Sequence, residues 1–221
     1  MAESPALTLF YSPRACSLAC HIALEESGLP FTPREIRVRE GAHKEAAYRE
    51  VNPWGKIPAL RVGEQVLTEA HAILTYVADR APGHNLLPSA GTLARARAHE
   101  WMNFLSSTVH IAFRPLFRTA VLAGAEGPLD VIKRAGVPIL RETLSEVDRR
   151  LVGRQWALGE AYSVCDAYLL VFWIWSQRED VVEYVEEMPN WKSLAERVLA
   201  RPATQRALAR EKLTAAALRA A

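Results

Sequence analysis

The feature that most restricts how this chain can fold is a change of sequence style near residue 82. Before it, runs rich in β-branched and aromatic residues alternate with runs of helical period; after it, apolar residues recur at three- and four-residue steps. The first part reads as strands over 7–11, 31–38, 57–62 and 65–67, the last two a hairpin around Gly63-Glu64, with helices over 15–27, 43–50 and 69–80. That βαβαββα order predicts a small mixed sheet covered by helices. Pro82-Gly83-His84-Asn85 and Pro88-Ser89-Ala90-Gly91 then crowd chain breakers together, as a linker does. Helical runs follow over 92–122, 129–152, 163–177 and 191–200. The expected organisation is an α+β domain over residues 1–82, a linker over 83–91 and an all-helical bundle over 92–221. With 221 residues, half of them apolar, the chain has material for two cores.

Charge and cysteine content narrow the function classes. Lys and Arg number 27 against 25 Asp and Glu, a formal charge of +2 that makes neither nucleic acid nor an acidic membrane an obligatory partner. From Arg197 onward six basic residues face only Glu211, and no aromatic residue interleaves them, so the tail reads as a solvated helix face. No apolar run reaches the roughly 18 residues of a membrane span, and the first residues lack a secretory pattern. The three cysteines, Cys16, Cys20 and Cys165, form neither a C-x-x-C pair nor a zinc-ligand spacing. The expectation is therefore no metal, no disulfide framework and a cytoplasmic location.

Three segments carry chemistry. In Phe10-Tyr11-Ser12-Pro13-Arg14-Ala15-Cys16-Ser17 a strand turns into a helix, with Cys16 in the first helical turn. Unpaired backbone N–H groups and the positive end of the helix dipole favour an anion there, so the spacing predicts a stabilised, exposed thiolate, with Arg14 adding positive charge. Cys20, one turn on, reads as a core thiol. In Asn52-Pro53-Trp54-Gly55-Lys56-Ile57-Pro58-Ala59-Leu60, a cis bond before Pro58 would turn the Ile57 backbone outward to pair with an extended peptide; the plainer reading is a strand-edge proline. In Leu67-Thr68-Glu69-Ala70-His71, Glu69 and Ala70 open a helix whose N–H groups suit a carboxylate, while Glu69 suits either a ligand ammonium or simply the helix dipole. Together these segments offer a thiol, an edge for a short peptide and a clamp for an amino-acid end.

That combination resembles the cytosolic glutathione S-transferases over nearly the whole chain, and FYSPRACS is similar to the N-terminal signature of their bacterial beta class. The resemblance implies an α+β thioredoxin-like N-terminal domain followed by an all-α helical bundle domain. It also makes NPWGKIPAL the cis-proline loop and TEAHAIL the γ-glutamyl-binding turn. Glu100-Trp101-Met102-Asn103-Phe104 and the stretch from His110 resemble the first bundle helix. His110 would then face Cys16 across the cleft, and Asn103 would reach glutathione in a partner subunit. Ser163-Val164-Cys165-Asp166 reads as a capping box and resembles the family's box at a buried helix, with a folding role. Two departures stand out: Ala70 where many relatives carry serine, and Ile111 where some carry lysine.

The implied function is a homodimeric glutathione transferase acting on small hydrophobic electrophiles, with glutathione as co-substrate and no other cofactor. Cys16 and His110 would be catalytic, and Tyr11, Ser12, Lys44, Lys56, Ile57, Pro58, Glu69, Ala70 and Asn103 would bind glutathione. For its glycine carboxylate, Lys56, Lys44 and His43 are all candidates. Lowering a thiol pKa from about 8.5 to about 6.5 raises the ionised share at pH 7 from ~3% to ~75%. Cysteine at this place also permits thiol transfer and peroxide reduction through a mixed disulfide. The competing readings are a non-catalytic relative that binds glutathione or a protein, and a reductive dehalogenase or isomerase using the same site.

Overall fold

The computed structural model describes residues 5–124, 127–214 and 218. Its strands are β1 (Leu7–Tyr11), β2 (Phe31–Glu35), β3 (Ala59–Val62) and β4 (Gln65–Thr68). In the first half the helices are α1 (Ser17–Ser27), α2 (Ala46–Arg49) and α3 (Ala70–Arg80). In the second they are α4 (Leu93–Phe104), α5 (His110–Ala112), α6 (Arg114–Phe117), α7 (Thr119–Ala123), α8 (Leu129–Arg150), α9 (Val164–Ser176), α10 (Pro189–Leu199) and α11 (Pro202–Arg210).

The sheet order is β2-β1-β3-β4, with β1 parallel to β2 and antiparallel to β3, and β3 antiparallel to β4. A parallel pair needs a crossover, and α1 supplies it. All but one of the α1 residues are buried, as are all but one of those in α9. α9 is apolar nearly all round and belongs inside, whereas α1 buries His21 and Glu25 by pairing them with Glu211 and with Arg206 and Arg210, and it packs between the sheet and the bundle helices α9 and α11. A large core results, running from Leu9, Leu60 and Ile73 to Leu144, Phe172 and Trp191, and a smaller cluster of Phe10, Tyr48 and Ala59 lies apart from it. Among the described residues no helix is long and apolar enough to cross a membrane.

Several elements depart from their expected bounds. β2 ends at Glu35, and the helix expected over 43–50 is two short pieces, the 3-10 turn Ala42–Lys44 and α2. The run 92–122 is not one helix: α4 gives way to a wide π turn, Leu105–Val109, and Pro115, which lacks an N–H, starts a fresh turn in α6. α8 lies close on α6, since a Cβ on Gly136 would come within 2.2 Å of Pro115 Cβ. Beyond residue 200, Pro202 at a helix start begins α11, which the apolar period alone did not separate. Of the basic tail, Arg219 lies outside the described residues.

Candidate functional site

The turn from β1 into α1 places Cys16 at the N-cap of α1. Ser17 shapes that turn: its Oγ accepts from the Ser12 backbone N–H and donates to the Ser12 carbonyl, each at 3.1 Å. Arg14 adopts φ 64, in the left-handed region. The helical half holds it there, with Trp175 Nε1 donating to its carbonyl at 2.8 Å and its backbone N–H facing the buried Glu211 carboxyl. Glu211 also bonds His21 Nδ1 at 2.8 Å.

The Cys16 thiol is not the exposed thiolate that its helix position predicts. The residue is 8% accessible, and its Sγ donates to the Ile57 carbonyl at 3.5 Å. Burial pushes its pKa up to about 12, with Glu69 adding to the rise and the Cys16 and Ser17 backbone N–H groups opposing it. Loss of water outweighs the amides, so the thiol is protonated at neutral pH. Tyr11 and Ser12 are buried beside it, and burial, Glu211 and Glu35 raise the Tyr11 hydroxyl.

The Ile57-Pro58 bond is cis. Its loop is anchored through the Lys56 carbonyl, which accepts from Tyr48 Oη at 2.6 Å and Asn52 Nδ2 at 2.8 Å. Gly55 has φ +58, and a Cβ there would come within 2.5 Å of the His43 carbonyl oxygen, so only glycine fits. The loop presents a half-buried Ile57, a buried Pro58 and an exposed Lys56 side chain; Lys44 is exposed as well. Burial lowers the His43 pKa, and Lys44, Arg118, Lys56 and Arg49 lower it further. Arg118, from the bundle, thus joins the expected lysines in one basic cluster, a membership no local pattern signals.

Glu69 opens α3 exposed, with no side-chain cap and at φ 69. A left-handed non-glycine residue is strained, and such strain gathers at binding sites. The neighbouring Ala70 is buried, its carbonyl accepting from Cys20 Sγ at 3.8 Å. Cys20 and Cys165 are both fully buried core thiols. The Glu69 charge acts on Cys16 and on Tyr168 of α9, so the thiol, the open helix start and the bundle are neighbours.

Asn103 and His110 are seven residues apart and would share a face on an ideal α-helix. The wide turn between them separates their directions. Asn103 is exposed, with His71 at its Oδ1. His110 packs edge-on to Trp175, ring centres 5.0 Å apart, and beside Phe172. Burial, then Arg114, Lys56 and Arg118, lowers its pKa to about 4, leaving a neutral imidazole at pH 7. Among the described residues no hydrogen bond joins His110 to Cys16, and no three His, Cys, Asp or Glu side chains gather as a metal site.

A family profile for the glutathione S-transferase N-terminal domain matches residues 14–80. A glutathione S-transferase of Escherichia coli O157:H7 is 33% identical over 94% of this chain and 100% of its own length. A sphingomonad glutathione S-transferase solved in complex with glutathione superposes with a TM-score of 0.80 at 37% identity, over 94% of this chain and all of that one. A bacterial beta class enzyme from Sphingomonas chungbukensis gives 0.80 at 36% identity over the same shares.

Proposed function

This chain belongs to the glutathione S-transferase family and is a glutathione transferase, and from that premise we propose how it holds and uses the tripeptide. Glutathione lies extended along the sheet edge, its backbone paired with Ile57 beside Pro58. Its γ-glutamyl carboxylate takes the open N–H groups at Ala70, and its ammonium group takes Glu69. Its glycine carboxylate faces the cluster of Lys44 and Lys56. One observation carries this reading: the Cys16 thiol is bonded to the Ile57 carbonyl with the Glu69 charge beside it, so thiol, peptide edge and clamp share one place.

Because burial keeps Cys16 protonated, its S–H donates to the sulfur of bound glutathione, with the α1 N–H groups, Tyr11 and Ser12 supporting the same anion. The activated thiolate is then glutathione's own. His110, neutral at pH 7, exchanges the proton of that sulfur. Small hydrophobic electrophiles enter from the bundle side, and their conjugation serves detoxification. With glutathione disulfide, Cys16 first gives up its proton to solvent, a step that burial makes slow; its thiolate then attacks one sulfur, the S–S bond breaks and a glutathione thiolate leaves. That mixed disulfide supports thiol transfer; in peroxide reduction the same mixed disulfide forms when a peroxide oxidises the Cys16 thiolate to the sulfenic acid, leaving as the alcohol, and glutathione condenses with the sulfenic acid, releasing water.

Residues 1–82 form the glutathione-binding domain, 83–91 the linker, and 92–221 the electrophile pocket and the contacts of a homodimer. The exposed Asn103 and the 84% exposed indole of Trp54 beside the site support pairing. Three unpaired cysteines fit a reducing cytoplasm. The test is mass spectrometry after glutathione disulfide treatment, together with conjugation of an aryl halide. The adduct should appear on Cys16, and Cys16→Ala should lose it while keeping part of the conjugation rate; an adduct on Cys165, or none, overturns the role of Cys16. Sedimentation showing a fully active monomer would contradict the dimer.

A further inference from the structure

Beside this site a chain of polar side chains crosses from α3 to α4 and ends on Asn103. Arg95 Nη2 donates to both oxygens of Asp79 at 2.8 Å, and its Nη1 donates to the Pro88 carbonyl at 2.9 Å. Its Nε donates to His99 Nε2 at 3.1 Å. His99 Nδ1 lies 2.7 Å from His71 Nε2, and His71 Nδ1 lies 3.0 Å from Asn103 Oδ1.

A guanidinium only donates, and that sets the direction of every bond downstream. His99 Nε2 accepts, so its proton sits on Nδ1 and goes to His71 Nε2. His71 Nε2 therefore accepts, its proton sits on Nδ1, and that proton is donated to the Asn103 amide oxygen. The reverse placement of the Asn103 amide would set N–H against N–H. The amide oxygen is thus turned inward and the NH2 outward, where it has no hydrogen-bond partner among the described residues. Burial lowers the His71 pKa, the Asn103 bond opposes this, and His99 and Arg95 lower it further, which favours the neutral ring this chain requires.

We propose that His71 is a positioning residue for glutathione binding: with His99 and Arg95 it locks the Asn103 NH2 outward, as a donor to a carboxylate or carbonyl oxygen of the glutathione held by a second copy of this chain. The inference rests on reading Asn103 as a contact to that glutathione. Without His71 the amide is free to turn its oxygen toward an acceptor. The loss falls on glutathione binding, because the contact is to a carboxylate or carbonyl oxygen of glutathione and not to its reacting sulfur.

The test is steady-state kinetics on the intact dimer at saturating aryl halide, with His71→Leu, His71→Gln, Asn103→Ala and the double variant His71→Leu/Asn103→Ala. Asn103→Ala should raise the glutathione KM roughly tenfold, the scale of one hydrogen bond to a charged group. His71→Leu should reproduce most of that rise with kcat within about twofold, and the double variant should be no worse than Asn103→Ala alone. His71→Gln can donate to Asn103 and accept from His99, so it should recover most of the loss. If His71→Leu does not fold, His99→Leu cuts the chain one link earlier and is read the same way. A parent-like KM in Asn103→Ala overturns the reading of Asn103 itself. A raised KM there, with a parent-like KM in His71→Leu, additive losses or no recovery in His71→Gln, overturns the positioning role and leaves the Asn103 contact standing.

Discussion

The starts of α9 and α3 each carry an acidic residue, and the two are used in opposite ways. At α9, the Asp166 carboxylate accepts from the Ala157 and Ser163 backbone N–H groups at 2.7 Å and from Ser163 Oγ at 3.0 Å. The capping box is complete and fully buried; burial lifts Asp166 to about 6, against those donors. At α3, Glu69 is exposed, uncapped and left-handed. The positive end of the dipole and the orphan N–H groups are the same physical resource in both places. Where the chain fills them itself, the helix start anchors the fold; where it leaves them open, they are the groups proposed to take the γ-glutamyl end of glutathione. The start of α1 lies between the two, filled by a thiol that burial keeps neutral.

The sharpest way to break this contrast is to empty the filled end. Asp166→Ala orphans two buried backbone donors, and the expected loss of unfolding free energy is ~3–5 kcal/mol. Denaturant melts check this, and a loss below ~1 kcal/mol would erase the distinction. The open end should respond in binding instead. Glu69→Ala should weaken glutathione binding by ~1.5–3 kcal/mol by calorimetry while the melting temperature stays near that of the parent. Unchanged affinity would remove Glu69 from the clamp.

Glu69→Gly sharpens the contrast further, because glycine relieves the left-handed backbone while discarding the carboxylate. It should raise stability by up to ~1 kcal/mol and still lose affinity; a fall in stability would show that Glu69 holds the fold after all. The smallest effect is one of pH, at the bundle side of the cleft. His110 has a pKa of about 4 in the fold, below the usual 6.5, so the unfolded chain takes up the proton first. Its contribution to stability is intact above pH 6.5 and is lost as pH falls toward 4. His110→Gln should flatten that part of the melting temperature against pH, and an unchanged slope would contradict it.

Much of the frame was legible in the residues. The βαβαββα order, the breakers after Arg80 and the Ser163–Asp166 box rest on periodicity and capping, which act over a few residues, and they reappear in the sheet, in α3 and at α9. Glu69 at a helix start and Cys16 beside Ile57 were readable as a set of residue types. Less legible was whatever depends on a partner far along the chain: the Arg14 peptide held by Trp175 and Glu211, Arg118 beside Lys56, the wide turn after Phe104, and the polar chain ending on Asn103.

Cys16 shows where the division falls and why. Its place at the mouth of α1 follows from Pro13 ending a strand and a helical period beginning, and sequence alone determined it. Its protonation state was decided by packing, because the backbone amides that favour a thiolate act within one helical turn, whereas desolvation sums over every element closed around the sulfur. Short-range order is written residue by residue, but the water excluded from a site is a property of the assembled molecule.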